Sequence, residues 1–128
     1  MTALRSIIAL VGGFAIMVFG YVVILALAVF LDVRAAPPGT AFHVTNLVMS
    51  AVSAAGGGYA TAVLAPHSPR GHTIGLALMV FAMSLSQLMQ PAPGLPRWYP
   101  AALTVVGPAC AVLGGLLRRP RSTSQVTA

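Results

Sequence analysis

The chain is 128 residues long, 58% apolar and 6% charged, with seven arginines facing one acid, Asp32, for a formal net charge of +6. An average soluble domain is about a quarter charged, so this composition cannot clothe a water-facing surface. The arginines are scattered at the ends of apolar segments instead of clustered on one face, which excludes nucleic acid as a partner and leaves one compact all-α integral membrane domain with the lipid bilayer as its surroundings.

The first apolar stretch runs from Ile7 to Leu31. A helix over it rises about 37 Å, more than the ~30 Å hydrocarbon core, so it should tilt or protrude. A cleaved secretory leader is the competing reading, because Arg5 precedes the run and Ala26-Leu27-Ala28 mimics a cleavage site. A leader's apolar core is only about 7 to 15 residues long, which favours a span. Asp32, Arg34 and Pro37-Pro38-Gly39 end it. The second stretch, Val44 to Ala65, stops at Pro66, and His67 to Gly71 forms a polar loop. The third, Thr73 to Met89, is only just long enough to span, and Pro91, Pro93, Gly94 and Pro96 stiffen the next connection. The fourth, Tyr99 to Leu117, carries Pro100 in its first turn, where a missing N–H costs little, and Pro108 inside, where it frees the carbonyl of Thr104 and should kink the helix.

Connections this short force neighbouring helices to be antiparallel. Residues 1–118 therefore read as a single four-helix antiparallel transmembrane bundle, with helices over about 7–31, 44–65, 73–89 and 99–117, and 119–128 as a polar, disordered cytoplasmic tail. If the N-terminus is cytoplasmic, that side holds Arg5, Arg70, Arg118, Arg119 and Arg121 and the other only Arg34 and Arg97. The positive-inside rule then puts both termini in the cytoplasm of a cell's inner (plasma) membrane, with Trp98 and Tyr99 at the outer interface.

Small residues mark the packing faces. Ser50, Ala54, Gly58 and Ala62 repeat every four residues in the second stretch, and Ser53, Gly57, Thr61 and Ala65 run beside them. Such stripes let backbones approach closely, which matters in lipid because apolar burial alone does not drive helices together. The second helix is thus the expected centre of packing, although Gly56-Gly57-Gly58 also reads as a hinge or an unwound ligand site. Gly107, Ala111 and Gly115 repeat the spacing in the fourth stretch, and Ala9 and Gly13 do so in the first. Late glycine pairs, Gly57-Gly58 and Gly114-Gly115, hint at a duplicated hairpin.

Residues able to do chemistry are few. Asn46, Ser50, Ser84, Gln87 and Gln90 fall at similar depth near one end of the bundle, with Thr104 beside them. They read either as a shallow outward-facing polar pocket or as interhelical hydrogen bonds, and the second is the expectation. His43 sits just outside this group at the membrane surface; it reads as an interfacial, solvated side chain, with membership of the group as the alternative. His67 and His72 flank a proline-containing loop with no acid or cysteine to complete a coordination set, so no metal is expected there. Cys110 is single and mid-helix, an inert buried thiol; Tyr21 and Tyr59 read as packing aromatics. No cofactor is expected.

None of the four stretches contains Asp, Glu, Lys or Arg, which counts against ion-coupled transport. The length is similar to that of small multidrug transporters, but those carry a glutamate in the first span, and Ile7 to Leu31 holds no acid. No serine has a histidine or acid at its level, so an enzyme is not expected. The run Gly57-Gly58-Tyr59-Ala60-Thr61-Ala62-Val63-Leu64-Ala65-Pro66, with Trp98-Tyr99-Pro100 and Gly114-Gly115-Leu116-Leu117-Arg118, resembles a group of uncharacterised small four-span bacterial membrane proteins. That resemblance covers the last three helices and implies topology without activity. Two functions remain. The favoured one is a non-catalytic component that packs with itself, as a homo-oligomer, or into a larger membrane complex; the alternative is a small carrier or channel for a neutral solute.

Overall fold

The computed structural model describes residues 2–30, 39–65, 67–90 and 93–118. Asp32, Arg34, the Pro37-Pro38 turn and the expected tail at 119–128 lie outside the described residues. Among those described, the secondary structure is all helical: α1 (Thr2–Phe30), α2 (Thr40–Leu64), α3 (Pro69–Met89) and α4 (Trp98–Leu116). Each helix is long and apolar enough to cross a membrane.

Three helices begin several residues before the apolar runs do. Apolar composition marks only the part of a helix that lipid can cover, whereas backbone hydrogen bonding continues into polar flanks. Thr40 to His43 make the first turn of α2, with the His43 N–H donating to the Gly39 carbonyl at 3.3 Å. The expected loop around Arg70 is the start of α3: Pro69 occupies its first turn, and the N–H groups of Gly71 and His72 donate to the Ser68 carbonyl. Ser68 adopts a left-handed conformation (φ 47°) at this junction. With 29 residues, α1 is about 43 Å long and exceeds a bilayer core by more than the sequence indicated.

Helix directions follow from which residues meet. Gly13 lies against Gly57 and Thr61, and Gly20 against Ser53, so α1 and α2 are antiparallel. Val80 lies against Gly107 and Thr73 against Gly115, so α3 and α4 are antiparallel as well. Asn46 meets Tyr99 and Gly58 meets Ala111, which makes α2 and α4 parallel. Around the bundle the order is α1, α2, α4, α3; α2 and α3 also touch across the middle, while α1 and α4 do not meet.

The α2–α4 crossing is locally symmetric. A Cβ added to Gly58 would overlap the backbone of Ala111, and one added to Gly114 would overlap the backbone of Ala55. An Ala-x-x-Gly pair on each helix thus brings the two backbones together. Around this crossing the core is built from Ala54, Leu76, Ala77, Val80 and Ala111, with Leu10, Phe14, Met17, Cys110 and Val112 packed on it. Ala54, Gly57, Gly58 and Ala62 are all buried inside the bundle. Arg118 donates from its guanidinium to the Ala62 carbonyl, placing a cation beside the negative C-terminal end of α2. Outward faces carry large apolar side chains such as Phe19, Leu78, Val105 and Leu113, each at least 60% exposed.

Candidate functional site

Tight packing occupies the half of the bundle nearest the termini and the α2–α3 connection. Toward the opposite, distal end the small residues Ser50, Ser53, Ser84 and Gly107 stand between helices and leave a cavity of about 290 Å³. That is close to the lower bound of about 300 Å³ for small-molecule sites. Phe14, Met17, Val18, Val80, Met83 and Leu103 make most of its wall, so it is an apolar chamber with a few polar groups.

Those polar groups are Tyr21 from α1, Ser50 and Ser53 from α2, Ser84 and Gln87 from α3, and Tyr99 from α4. No carboxylate, imidazole, guanidinium or thiol is among the lining side chains. Ser50 donates back to the Asn46 carbonyl at 2.8 Å, a bond within its own helix. Ser53 is different. Only 7% exposed, its hydroxyl has no hydrogen-bond partner. It faces Gly20, which has no side chain to offer one.

At the distal end the chamber is bounded by a hydrogen-bonded bridge across three helices. The Tyr21 hydroxyl donates to Asn46 Oδ1 at 2.8 Å, and Asn46 Nδ2 donates to the Tyr99 hydroxyl oxygen at 2.5 Å. Tyr99 is therefore turned inward, 6% exposed, while its neighbour Trp98 stays 41% exposed. His43 packs edge-on against Phe42, Trp98 and Tyr99, and its Nδ1–H donates to the Gly39 carbonyl at 2.9 Å. The solvated interfacial histidine expected from the sequence is instead buried, because the early start of α2 turns it into an aromatic cluster.

Of the five residues read either as a polar pocket or, the expectation, as interhelical hydrogen bonds, Ser50, Ser84 and Gln87 line the chamber. Asn46 stands behind it in the tyrosine bridge, and Gln90 is exposed past the end of α3. Thr104 is buried and donates to the Pro100 carbonyl within α4. Sequence reasoning placed Ser53 in a packing ladder and Tyr21 among packing aromatics, although both line the chamber. A serine spaced four residues from glycine reads as a packing residue unless the opposing helix is known. His72 lies in α3, its ring nitrogen Nδ1 3.2 Å from the Ser68 carbonyl, while His67 is exposed before the helix.

Comparison with protein-family models finds no match, and the curated proteins and solved structures yield none either.

Proposed function

We propose that the chain is an integral membrane protein, a four-helix transmembrane bundle, that holds a small neutral solute in the chamber between its helices as a binding protein or carrier. The observation that carries this reading is the chamber itself, with the polar side chains of Ser84 and Gln87 in its largely apolar wall. Lacking any carboxylate, amine, imidazole or thiol, the lining supports a non-catalytic role and a ligand without net charge. Close packing at Gly58 and Ala111 shuts the chamber on the terminal side, which favours binding or carriage over an open channel.

The reading as a component of a larger complex drew on the lack of buried charge and on small-residue stripes in excess of one bundle's needs, and those stripes are met within the bundle by Gly13, Met17, Ala111 and Ala55. One observation still favours that reading as a second role. Gly56 is exposed, with open space where a Cβ would stand, in an outward row with Val52, Tyr59 and Val63, so a second copy or another membrane subunit has a notch to approach. Disulfide cross-linking of a Gly56→Cys variant in native membranes that yields only monomer, with no partner subunit captured, would remove it.

A filled cavity separates these roles. Ser84→Phe should occupy the chamber. Neutral solutes, tested as a panel of short alcohols, amides, polyols and ketones, should raise the melting temperature of the wild type in detergent but not of this variant; saturation at 100 Kd is worth about 2.7 kcal/mol. If no solute shifts the wild type, the solute-binding reading is wrong.

The arginine distribution supports placing the terminal end in the cytoplasm of the inner (plasma) membrane, with both termini there. Arg5, Arg70 and Arg118 lie at that end of the bundle and Arg97 at the other. Reporter fusions at Ala128 and Thr40 should report opposite sides, cytoplasmic for the first. A C-terminal fusion active only outside would reverse the orientation.

A further inference from the structure

The lining of the chamber changes character with depth, in the same sense on all four helices. On each, the lining residue nearest the distal end is polar: Tyr21 on α1, Ser50 on α2, Gln87 on α3 and Tyr99 on α4. The lining residue farthest from that end carries no polar side-chain atom: Phe14, Ala54, Val80 and Gly107, each near the middle of its helix. On α3, Val80, Ser84 and Gln87 fall on one face at helical spacing and pass from buried through half-buried to exposed, over a rise of about 10 Å. The chamber thus has an apolar floor at mid-bundle and a polar distal end.

Exposure shows where it opens. Lining residues on α2 and α4 are buried or half-buried, whereas Val18 on α1 and Met83 and Gln87 on α3 are exposed. The helices α1 and α3 approach each other toward the terminal end, where Leu10 lies against Gly75, and have little contact elsewhere. The mouth is therefore a gap between Val18 and Met83 in the flank of the bundle, with the Gln87 amide on its distal rim. Gln87 lies in the last turn of α3, the level at which a bilayer turns polar.

Resting on the solute-binding reading above, we infer that the chamber takes a neutral single-chain amphiphile ending in a hydroxyl or a primary amide, drawn from the leaflet at the distal end, with that polar end at Ser84 and Gln87 and its chain directed inward against Phe14 and Val80. An amphiphile in that leaflet already holds its polar end at the interface and its chain toward the midplane, which is the polarity of the chamber. It enters by lateral movement, without turning over and without exposing its chain to water. Among the described residues neither the Ser84 hydroxyl nor the Gln87 amide has a hydrogen-bond partner in the bundle, while Ser50 is bonded to its own helix and Tyr21 and Tyr99 to Asn46. A hydroxyl and a primary amide each donate and accept, so together they complement an end group that does both. A charged end group would meet no counter-charge in the lining. At about 290 Å³ the cavity stands at the small end of the range for small-molecule sites, with room for one short chain and none for a diacyl lipid.

Two alcohols of equal chain length test this, one carrying a photoreactive diazirine at the end of its chain and the other beside its hydroxyl. Wild-type protein in phosphatidylcholine vesicles is illuminated with each, and the labelled residues are mapped by peptide mass spectrometry. The first alcohol should label Phe14, Met17 and Val80, and the second Met83, Ser84 and Gln87, both above the background at the outward-facing Phe19 and Leu78. Gln87→Leu changes an exposed side chain, so the variant should fold, and it should lower the labelling of Phe14 and Val80 several-fold. Ser84→Phe should abolish that labelling. Phosphatidylcholine with the same diazirine at the end of one chain should label Phe19 and Leu78 and leave Phe14 and Val80 untouched. Equal labelling of Phe14 and Val80 by the two alcohols, no change on Gln87→Leu, or labelling by the phosphatidylcholine probe as strong as by the first alcohol would overturn the proposal. If the panel of short neutral solutes then still raises the melting temperature of the wild type and not of Ser84→Phe, the chamber is a solute site for another ligand class. If the panel raises neither, the solute-binding reading falls as well.

Discussion

Gly58→Ala should destabilise the bundle by roughly 1 to 3 kcal/mol or more, while Gly56→Ala, two residues earlier on the same helix, should leave stability unchanged or raise it by up to ~1 kcal/mol. The two positions have the same intrinsic helix propensity, so packing alone separates them. At Gly58 the added methyl would meet the carbonyl oxygen, carbonyl carbon and Cα of Ala111, which are backbone atoms with no rotamer to change. The α2 and α4 backbones must then move apart, loosening the contacts of the core residues Ala54 and Ala111 with them. At Gly56 nothing lies within 4 Å of the new atom. Gly114→Ala should act like Gly58→Ala, because it meets the Ala55 backbone in the same way. The two should combine to less than their sum, since either alone already separates the helices. Thermal or denaturant unfolding in one detergent measures all four variants. Equal stabilities for Gly56→Ala and Gly58→Ala would mean that α2 and α4 do not cross here.

The helices were legible in the sequence because uninterrupted apolar runs bounded by proline have few alternatives. Their first turns were not, because Thr40, His43, Pro69 and Arg70 are polar or breaking residues that leave no mark in an apolar pattern. The spacing of Gly58 and Gly114 marked close approach, yet nothing in either ladder says that each meets an alanine backbone on the other helix. The chamber was legible only in part. Ser50, Ser84 and Gln87 share a depth that can be counted from helix ends, but the rotation of each helix about its axis cannot be counted. That rotation sends Asn46 to the tyrosine bridge and Ser53 to the chamber wall. It was least legible for α1, which is apolar on every side, so that no polar face marks where Tyr21 and Val18 point.

Asn46→Leu should cost about 2 to 3 kcal/mol, the largest effect expected from any single polar side chain in the bundle. Asn46 is the middle of the bridge, accepting from Tyr21 and donating to Tyr99, so leucine of similar size removes two interhelical bonds at once. Interhelical hydrogen bonds in membranes average ~0.6 kcal/mol and reach ~1.7. The loss should exceed two average bonds because Tyr99, 6% exposed, is left with a buried hydroxyl oxygen and no donor for it. Tyr21→Phe removes only one link from a half-buried position and should cost about 1 kcal/mol or less. Ser50→Ala removes a bond within α2 and should be close to neutral. The decisive comparison is the double variant Asn46→Leu with Tyr99→Phe. Once the orphaned hydroxyl is gone, part of the lost stability should return, so the double variant should be more stable than Asn46→Leu alone. Additive losses in a double-mutant cycle would mean that Asn46 and Tyr99 do not interact and that the distal end of the chamber is held by something other than this bridge.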